Sequence, residues 1–432
     1  MSILKELGGF FSKLSFEDLP GEALDSAKGR ILDTIACAYA GKDSEASRVA
    51  KKLAKGGDVT VFFSNLRASL LDGVLINGVM AHSTSQDDLM AGIAHPGSVV
   101  VPAAIGVGET LDLNGKDLLL SIVIGYEAIW RILRATGRLS NPSFRPGTIF
   151  TTFGSCASAS KLFGLDPEAF SHALGYAASL TPGTPNEGWW GEGMETFFEI
   201  GVSSQIGVLS AILAKNGAKS SYYVIEGRDG FLKCWGAKPS PEEATKDLGR
   251  EFAITRTFIK PFAACGANQI PIQVALKLSK EKIKPQDVEK VVERVRKGIT
   301  NYAGINNPGP FSTYAQALMS IQFCTSAAIL GRPLDTPDYL INKFKDEEVF
   351  ELSKKVELVE EEGRRNPKFE IYLKDGRVIA YEEDPDRSIH VPTLDRMKEK
   401  VKRFAPDRAD DIIEAVMNLE NINVRELTKR LK

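Results

Sequence analysis

The 432-residue sequence predicts a mainly α-helical fold: a large all-helical domain assembled from residues 1–255 and 393–432, with a smaller α+β lid domain, residues 256–392, inserted into it. Three observations support that class. Up to about residue 255, apolar residues recur at helical spacing between legible caps. Beyond it come β-branched, strand-like stretches, among them "VEKVVERVRK" and "KFEIYLKDGRVIAYEE". From about residue 393 the helical pattern resumes in "TLDRMKEKVKRFA", "ADDIIEAVMNLE" and "NVRELTKRLK", which returns the chain to the first domain. Two domains also suit the length, because single cores stop growing at roughly 250–300 residues.

Taken in order, Pro20 sits at a first helical turn, and "EALDSAKGRILDTIACAYAGK" follows with Gly41 placed to stop it in a left-handed cap. Asn114 caps a long helix that runs through "DLLLSIVIGYEAIWRILRATG" toward Gly137. Glu127, Arg131 and Arg134 interrupt its apolar run, so it suits a buried core and not the ~20 apolar residues of a membrane span. In "GLDPEAFSHALGYAASLTPG" Asp166 is the N-cap, Pro167 the first turn, and Glu168 faces the helix dipole. Ser240, Pro241 and Glu243 repeat the device as a capping box. Small residues crowd "TTFGSCASASKLFG" and "LGYAASL", which lets helix backbones approach closely and marks these as central helices. No repeat of solenoid length occurs. In the inserted domain "RTFIKPFAA", "VEKVVERVRK", "VELVEEE" and the hairpin turning at Asp375-Gly376 are strand-like, alternating with helices around 267–281 and 314–330.

Composition excludes several function classes. With 43% hydrophobic and 25% charged residues the chain can bury a sizeable core. A net charge of −2, with basic residues interspersed among acids, gives no nucleic-acid footprint. The five cysteines, Cys37, Cys156, Cys234, Cys265 and Cys324, are widely spaced and form no CxxC pair, which argues against zinc knuckles and a disulfide framework and fits a cytoplasmic protein. The opening "MSILKELGGFFSKL" carries charge through what would be the apolar stretch of a signal peptide, and no membrane association is expected.

Chemistry concentrates in "AHSTSQDDLMAGIAHPG", residues 81–97. Only four histidines occur in the chain, and two of them, His82 and His95, flank the adjacent carboxylates Asp87 and Asp88. The stretch reads as a metal site, an acid/base site or a polar connection between helices. The spacing of the four groups matches no compact ligand pattern, so no metal is expected. His82 ends the apolar "INGVMAHST" helix as a packed histidine, and His172 and His390 lie in no motif.

The order and spacing of "ILDTIACAYAG", "INGVMAHSTSQDDLMAGIAHPGSVVVPAAIGVGE", "GYEAIWRI", "GTIFTTFGSCASASKLFGLDPEAFSHALGYAASLTPG", "EIGVSSQIGVLSAILAKNG" and "FIKPFAACGANQIPIQVALKL" resemble the MmgE/PrpD family across about residues 25–330. That family includes 2-methylcitrate dehydratase, cis-aconitate decarboxylase and iminodisuccinate epimerase. The resemblance implies a helical domain, a smaller lid, an active site in the cleft between them, a homodimer, a small anionic carboxylate as substrate, and no metal or organic cofactor. The shared step is removal of a proton beside a carboxylate, or its addition. Such a proton is weakly acidic, so the site needs cations for the substrate's charges, stabilisation of an enolate, and a base at close range.

His95 fits the proton-transferring role, because imidazole titrates near neutrality and its "HPG" lines up with the family segment. Asp87 and Asp88 match paired acids of the family, one to fix the tautomer of His95 and the other to cap a helix, with Asp88 also a candidate catalytic acid and Asp87 a candidate binding group. Lys260 stands where the family's lid contributes a lysine and is expected to pair with a substrate carboxylate. Cys265 falls where cis-aconitate decarboxylase-like members carry a histidine, and near Lys260 its thiol could be acidic enough to exchange protons.

Departures from the family are as informative. Arg145 replaces a usual histidine and could clamp a carboxylate. Glu195, Thr196 and Glu199 stand in place of a usual lysine and histidine, Ser85 and Leu89 replace acidic and polar residues, and Phe323 stands where some members have tyrosine. "PNEGWWGEG", residues 185–193, reads as a cleft-lining loop. The expected function is a cofactor-independent dehydratase or decarboxylase acting on a small di- or tricarboxylate. An epimerase using the same proton transfer, or a carboxylate-binding protein without the chemistry, remain as alternatives.

Overall fold

A computed structural model describes residues 2–432 and is predominantly helical. Its centre is a bundle in which the helices Leu70–His82, Gly97–Leu111, Gly115–Thr136, Pro146–Leu162, Pro167–Leu180 and Glu195–Lys215 pack on one another. The small residues do what their composition implies: a Cβ at Gly207 would lie 2.6 Å from the Cys156 backbone nitrogen, so only glycine lets Glu195–Lys215 cross Pro146–Leu162 at that distance. Among the described residues one helix, Glu195–Lys215, is long and apolar enough by composition to cross a membrane. It packs between Leu70–His82, Pro146–Leu162 and Pro167–Leu180. Asn114 and Asp166 cap their helices through Asp117 and Ala169 backbone N–H groups.

The inserted region carries a four-stranded sheet in the order β4-β3-β5-β6, from β3 (Val288–Arg296), β4 (Val356–Glu361), β5 (Lys368–Leu373) and β6 (Val378–Glu382). β3 pairs parallel to β4 in the register Val291 to Val356, and antiparallel to β5. The β5–β6 hairpin turns over Asp375-Gly376, with Gly376 at φ 90. The helix Ile321–Ile329 packs on β4 and on the helices Gln269–Ala275 and Glu347–Ser353. After residue 393 the chain returns: Leu394–Phe404 and Ala409–Met417 pack on Gly21–Gly41, and Val424–Lys429 packs on Gly97–Leu111.

Local expectations are corrected at several points. "RTFIKPFAA" forms no named strand. Phe258 makes an isolated two-way bridge with Leu89, and Pro261 has no N–H with which to extend it. Gly41 is helical and followed by Lys42 in right-handed geometry, so it is no left-handed cap. Pro20 is the N-cap of that helix, not its first turn. Ser240 makes no side-chain cap, since Pro241–Ala244 is a single 3-10 turn. The helical domain also contains a ribbon of β1 (Val59–Thr60) and β2 (Arg67–Ala68), whose two-residue strands are too short to show alternation.

Candidate active site

The loop 83–96 reverses the chain between Leu70–His82 and Gly97–Leu111, with Ser85 at φ 49 and Ala91 at φ 51 in left-handed turns. The reversal folds Asp87 back onto the last residue of the preceding helix. Asp87 Oδ2 lies 2.9 Å from His82 Nδ1 and accepts from Ser98 Oγ at 2.7 Å. His95 Nδ1 faces the same oxygen at 3.4 Å without completing a hydrogen bond. On the other oxygen, Lys260 Nζ approaches to 3.4 Å. The His82 and His95 rings meet edge-on with centroids 4.7 Å apart. His82, Asp87 and Lys260 are buried, while the His95 side chain keeps 14% of its surface exposed, which makes it the imidazole that a ligand can reach.

Lys260 reaches this carboxylate because its segment is tied to the loop, by the Leu89–Phe258 bridge and by Gln86 Nε2 donating to the Pro261 and Asp335 carbonyls at 2.8 and 3.0 Å. Tyr314 adds a further tie from the inserted region, donating to the Ser83 carbonyl at 3.0 Å and stacking on Phe197.

Arg145, at the start of Pro146–Leu162, completes the cluster from the opposite side. Its NH2 lies 2.8 Å from His82 Nε2, and its NH1 donates to Glu199 Oε2 at 2.9 Å and to the Thr196 carbonyl. The guanidinium also covers the Trp189 ring at 5.0 Å. The sequence expectation of a carboxylate clamp therefore meets a side chain whose donors face the protein.

Asp88 points elsewhere. Its Oδ1 accepts from the Gly97 backbone N–H and its Oδ2 from Tyr126 OH, both at 2.8 Å, so it caps the helix that follows His95. Gly97 is required there, since a Cβ would lie 2.8 Å from both Asp88 Oδ1 and Thr34 Oγ1. Asp88 is thus not among the groups that meet at His95.

Electrostatics separates the two adjacent acids. Burial would raise Asp87, but His82, His95 and Lys260 hold it well below the usual carboxylate range. Burial pushes Asp88 up to about 7, against the pull of Arg30. The imidazoles move the other way, as burial takes His82 down to about 3 and lowers His95, in each case against the attraction of Asp87. Two neutral imidazoles thus share one carboxylate. Burial also raises the Cys265 thiol, outweighing the nearby Lys260 and Arg145, so the expected acidification is reversed.

A cavity of about 650 Å³ opens between the 185–190 loop and residues 298–303, lined by Arg138, Asn186, Trp190 and Tyr302 among others. Tyr302, on its wall, feels the charge of Arg145, although Arg145 itself does not line the cavity. Trp190 borders it directly, while the neighbouring Trp189 lies against Arg145.

His82, Asp87 and His95 bring ligand atoms within 4.8 Å of one another, so the fold makes compact a set that its sequence spacing does not. The donors fit a divalent cation poorly. Both His82 nitrogens are engaged, by Asp87 and by Arg145, and the Lys260 ammonium already lies on the same carboxylate. Sequence reasoning took His82 for packing alone and missed Ser98, Glu199 and Tyr126. Among these only Glu199 carried a signal, as a departure from the family pattern.

Comparison with known proteins identifies the family. The MmgE/PrpD N-terminal domain matches residues 5–244 and the MmgE/PrpD C-terminal domain matches residues 262–420. A cis-aconitate decarboxylase of Aspergillus terreus (strain NIH 2624 / FGSC A1156) is 27% identical over 297 residues, covering 64% of this chain and 60% of that protein. The chain thus matches about three fifths of the length of the fungal relatives. The cis-aconitate decarboxylases of Homo sapiens and Mus musculus are 25% and 24% identical over alignments covering 98% and 89% of this chain and 92% and 82% of theirs. With both domain families matched in order over most of its length, the chain belongs to the MmgE/PrpD family.

Proposed function

We propose that this protein is a dehydratase- or decarboxylase-type lyase that acts on a small di- or tricarboxylate by proton transfer through His95, with no metal or organic cofactor. The observation that carries it is the single buried carboxylate, Asp87, faced by two imidazoles and a loosely held lysine ammonium. Its relatives named as decarboxylases support the reaction class. In this reading His95 Nε2 takes or returns the proton on the carbon beside a substrate carboxylate, while its Nδ1 faces Asp87. The 3.4 Å contact to Asp87 is longer than a made hydrogen bond and would tighten as His95 takes up a proton. Lys260, also at 3.4 Å, is free to turn from Asp87 to a substrate carboxylate. The inserted region acts as a lid over the cleft, and the protein works as a cytoplasmic homodimer.

The decisive experiment incubates the protein with a panel of di- and tricarboxylic acids in D2O and follows the products by NMR. Formation of an alkene, or of a decarboxylated acid carrying deuterium, is the expected result. A second reading, epimerisation, would use the Cys265 thiol, which burial keeps protonated, as the donor of the returning proton. It would appear as exchange at the carbon beside the carboxylate without elimination. A protein that binds the acids and does neither overturns the enzymatic assignment.

A further inference from the structure

The relation between Arg145 and His82 carries more than a contact distance. A guanidinium is always charged and only donates, so the His82 Nε2 that faces Arg145 NH2 at 2.8 Å must present its lone pair. A neutral imidazole then has its one proton on Nδ1, and that nitrogen lies 2.9 Å from Asp87 Oδ2. The arginine is fixed in turn by Glu199, by the Thr196 carbonyl and by Trp189 beneath its plane. His82 therefore has no second arrangement available without breaking a charge-assisted contact inside the protein.

We infer that Arg145 is a positioning residue that acts through His82: it imposes the Nδ1–H tautomer on His82, whose proton, together with that of Ser98, orients Asp87 toward the Nδ1 of His95. The chain of contact runs from Arg145 to His82, to Asp87 and to His95, and Arg145 does not hold substrate. Its kinetic part rests on the proposed proton transfer at His95, while its structural part does not. The groups facing His82 are Asp87, His95 and Arg145, with Phe197 against its ring, so no other charged side chain competes to set the tautomer.

Because the chain has only four histidines, 15N-histidine NMR of the full-length protein resolves the question without substrate. His82→Gln assigns the signals. The expected wild-type spectrum shows His82 protonated on Nδ1 and unprotonated on Nε2, unchanged from about pH 5 to 8. In Arg145→Met, which donates nothing, an Nε2-protonated or imidazolium fraction appears beside the Nδ1–H form and Arg145→Lys, which keeps a cationic donor, removes it; an Arg145→Met protein whose His82 keeps the unmixed Nδ1–H signature shows that Asp87 alone sets the tautomer and overturns the inference. Once a turned-over acid is known, Arg145→Met lowers kcat roughly 10–100-fold, by analogy with the loss when the outer hydrogen-bond partner of a metal-bound histidine is removed, with KM nearly unchanged. A wild-type His82 that carries its proton on Nε2, or that titrates to imidazolium in this range, overturns the inference whether or not the variants fold. So does an Arg145→Met enzyme whose KM rises manyfold while kcat holds, because that is the behaviour of a substrate clamp. If no acid in the panel reacts but the tautomer is as stated, the proposed function fails and the Arg145–His82 arrangement stands.

Discussion

Replacing Asp88 by asparagine separates the two adjacent acids and should change stability far more than catalysis. Asparagine keeps an acceptor for the Gly97 N–H and presents an amide to Tyr126 OH, which can accept in place of donating. Burial raises the Asp88 carboxyl from 3.8 to about 7 in the fold. A raised carboxyl binds its proton more tightly when folded, so its stabilisation is complete below pH 3.8 and is lost as pH rises through 7. The whole window corresponds to at most about 4 kcal/mol. His82 has the opposite sign, since its lowered value means stability that is present above pH 6.5 and lost as pH falls toward 3. In the wild type the two slopes largely cancel between about pH 4 and 6.5. Asp88→Asn removes one of them, so its advantage over wild type should grow from about 2 kcal/mol or less at pH 5 to about 4 kcal/mol at pH 8. Urea unfolding followed by tryptophan fluorescence at the two pH values measures the change, and kcat at pH 7 should stay within a few-fold of wild type. An advantage that does not grow with pH would mean that Asp88 is ionised beside Arg30 throughout. A kcat loss of a hundredfold or more would return Asp88 to the catalytic set.

Other outcomes follow from the same geometry. His95→Gln should lower kcat by roughly 10²–10⁴, the scale of general acid/base catalysis, with KM little changed, and near-normal kcat in a folded variant would remove His95 from the mechanism. Lys260→Ala should raise KM severalfold, because its loose contact with Asp87 leaves it free to bind a substrate carboxylate; an unchanged KM in a variant with lowered kcat would make it a partner of Asp87 alone. Exhaustive chelation should leave activity intact, and activity lost to chelation and restored by zinc, iron or magnesium would show that the compact His82, Asp87 and His95 set does hold a metal. Hydrogen exchange in the presence of an anionic acid should protect amides near Lys260 and near His95 together, since Gln86 ties the two segments; protection of one alone would argue against a shared cleft.

The parts of the fold that were legible in the sequence are those governed by local rules. Helix periodicity, the Asn114 and Asp166 caps and the Asp375-Gly376 hairpin each depend on a few neighbouring residues, and the structure shows each of them. "RTFIKPFAA" misled because β-branched and aromatic content signals only that a segment can be extended, whereas a strand also needs a partner with a free edge. At the site, His95 and Lys260 were visible through their motifs. The meeting of His82 with Asp87 was not, because the turn between them includes left-handed backbone at Ser85, a residue whose type gives no hint of it.

The departures from the family pattern hold the most instructive case. Arg145 and Glu199 were each visible as an altered residue, and singly each reads as a new charge in the cleft. The structure joins them in a buried ion pair of 2.9 Å, with the Thr196 backbone carbonyl accepting from the same guanidinium. Burial raises the Glu199 carboxyl, with Arg145 the leading force against that rise. Removing one partner alone would leave the other charge buried without compensation, a loss on the order of 3–5 kcal/mol. The two departures thus form a pair that satisfies itself and presents little net charge to a ligand. On the proposed function, recognition of a substrate carboxylate then falls to Lys260, whose contact with Asp87 is 3.4 Å. On that reading the chain thus keeps the loop that carries His95, while the donors of Arg145 are turned into the protein, toward Glu199 and His82, and not toward a substrate.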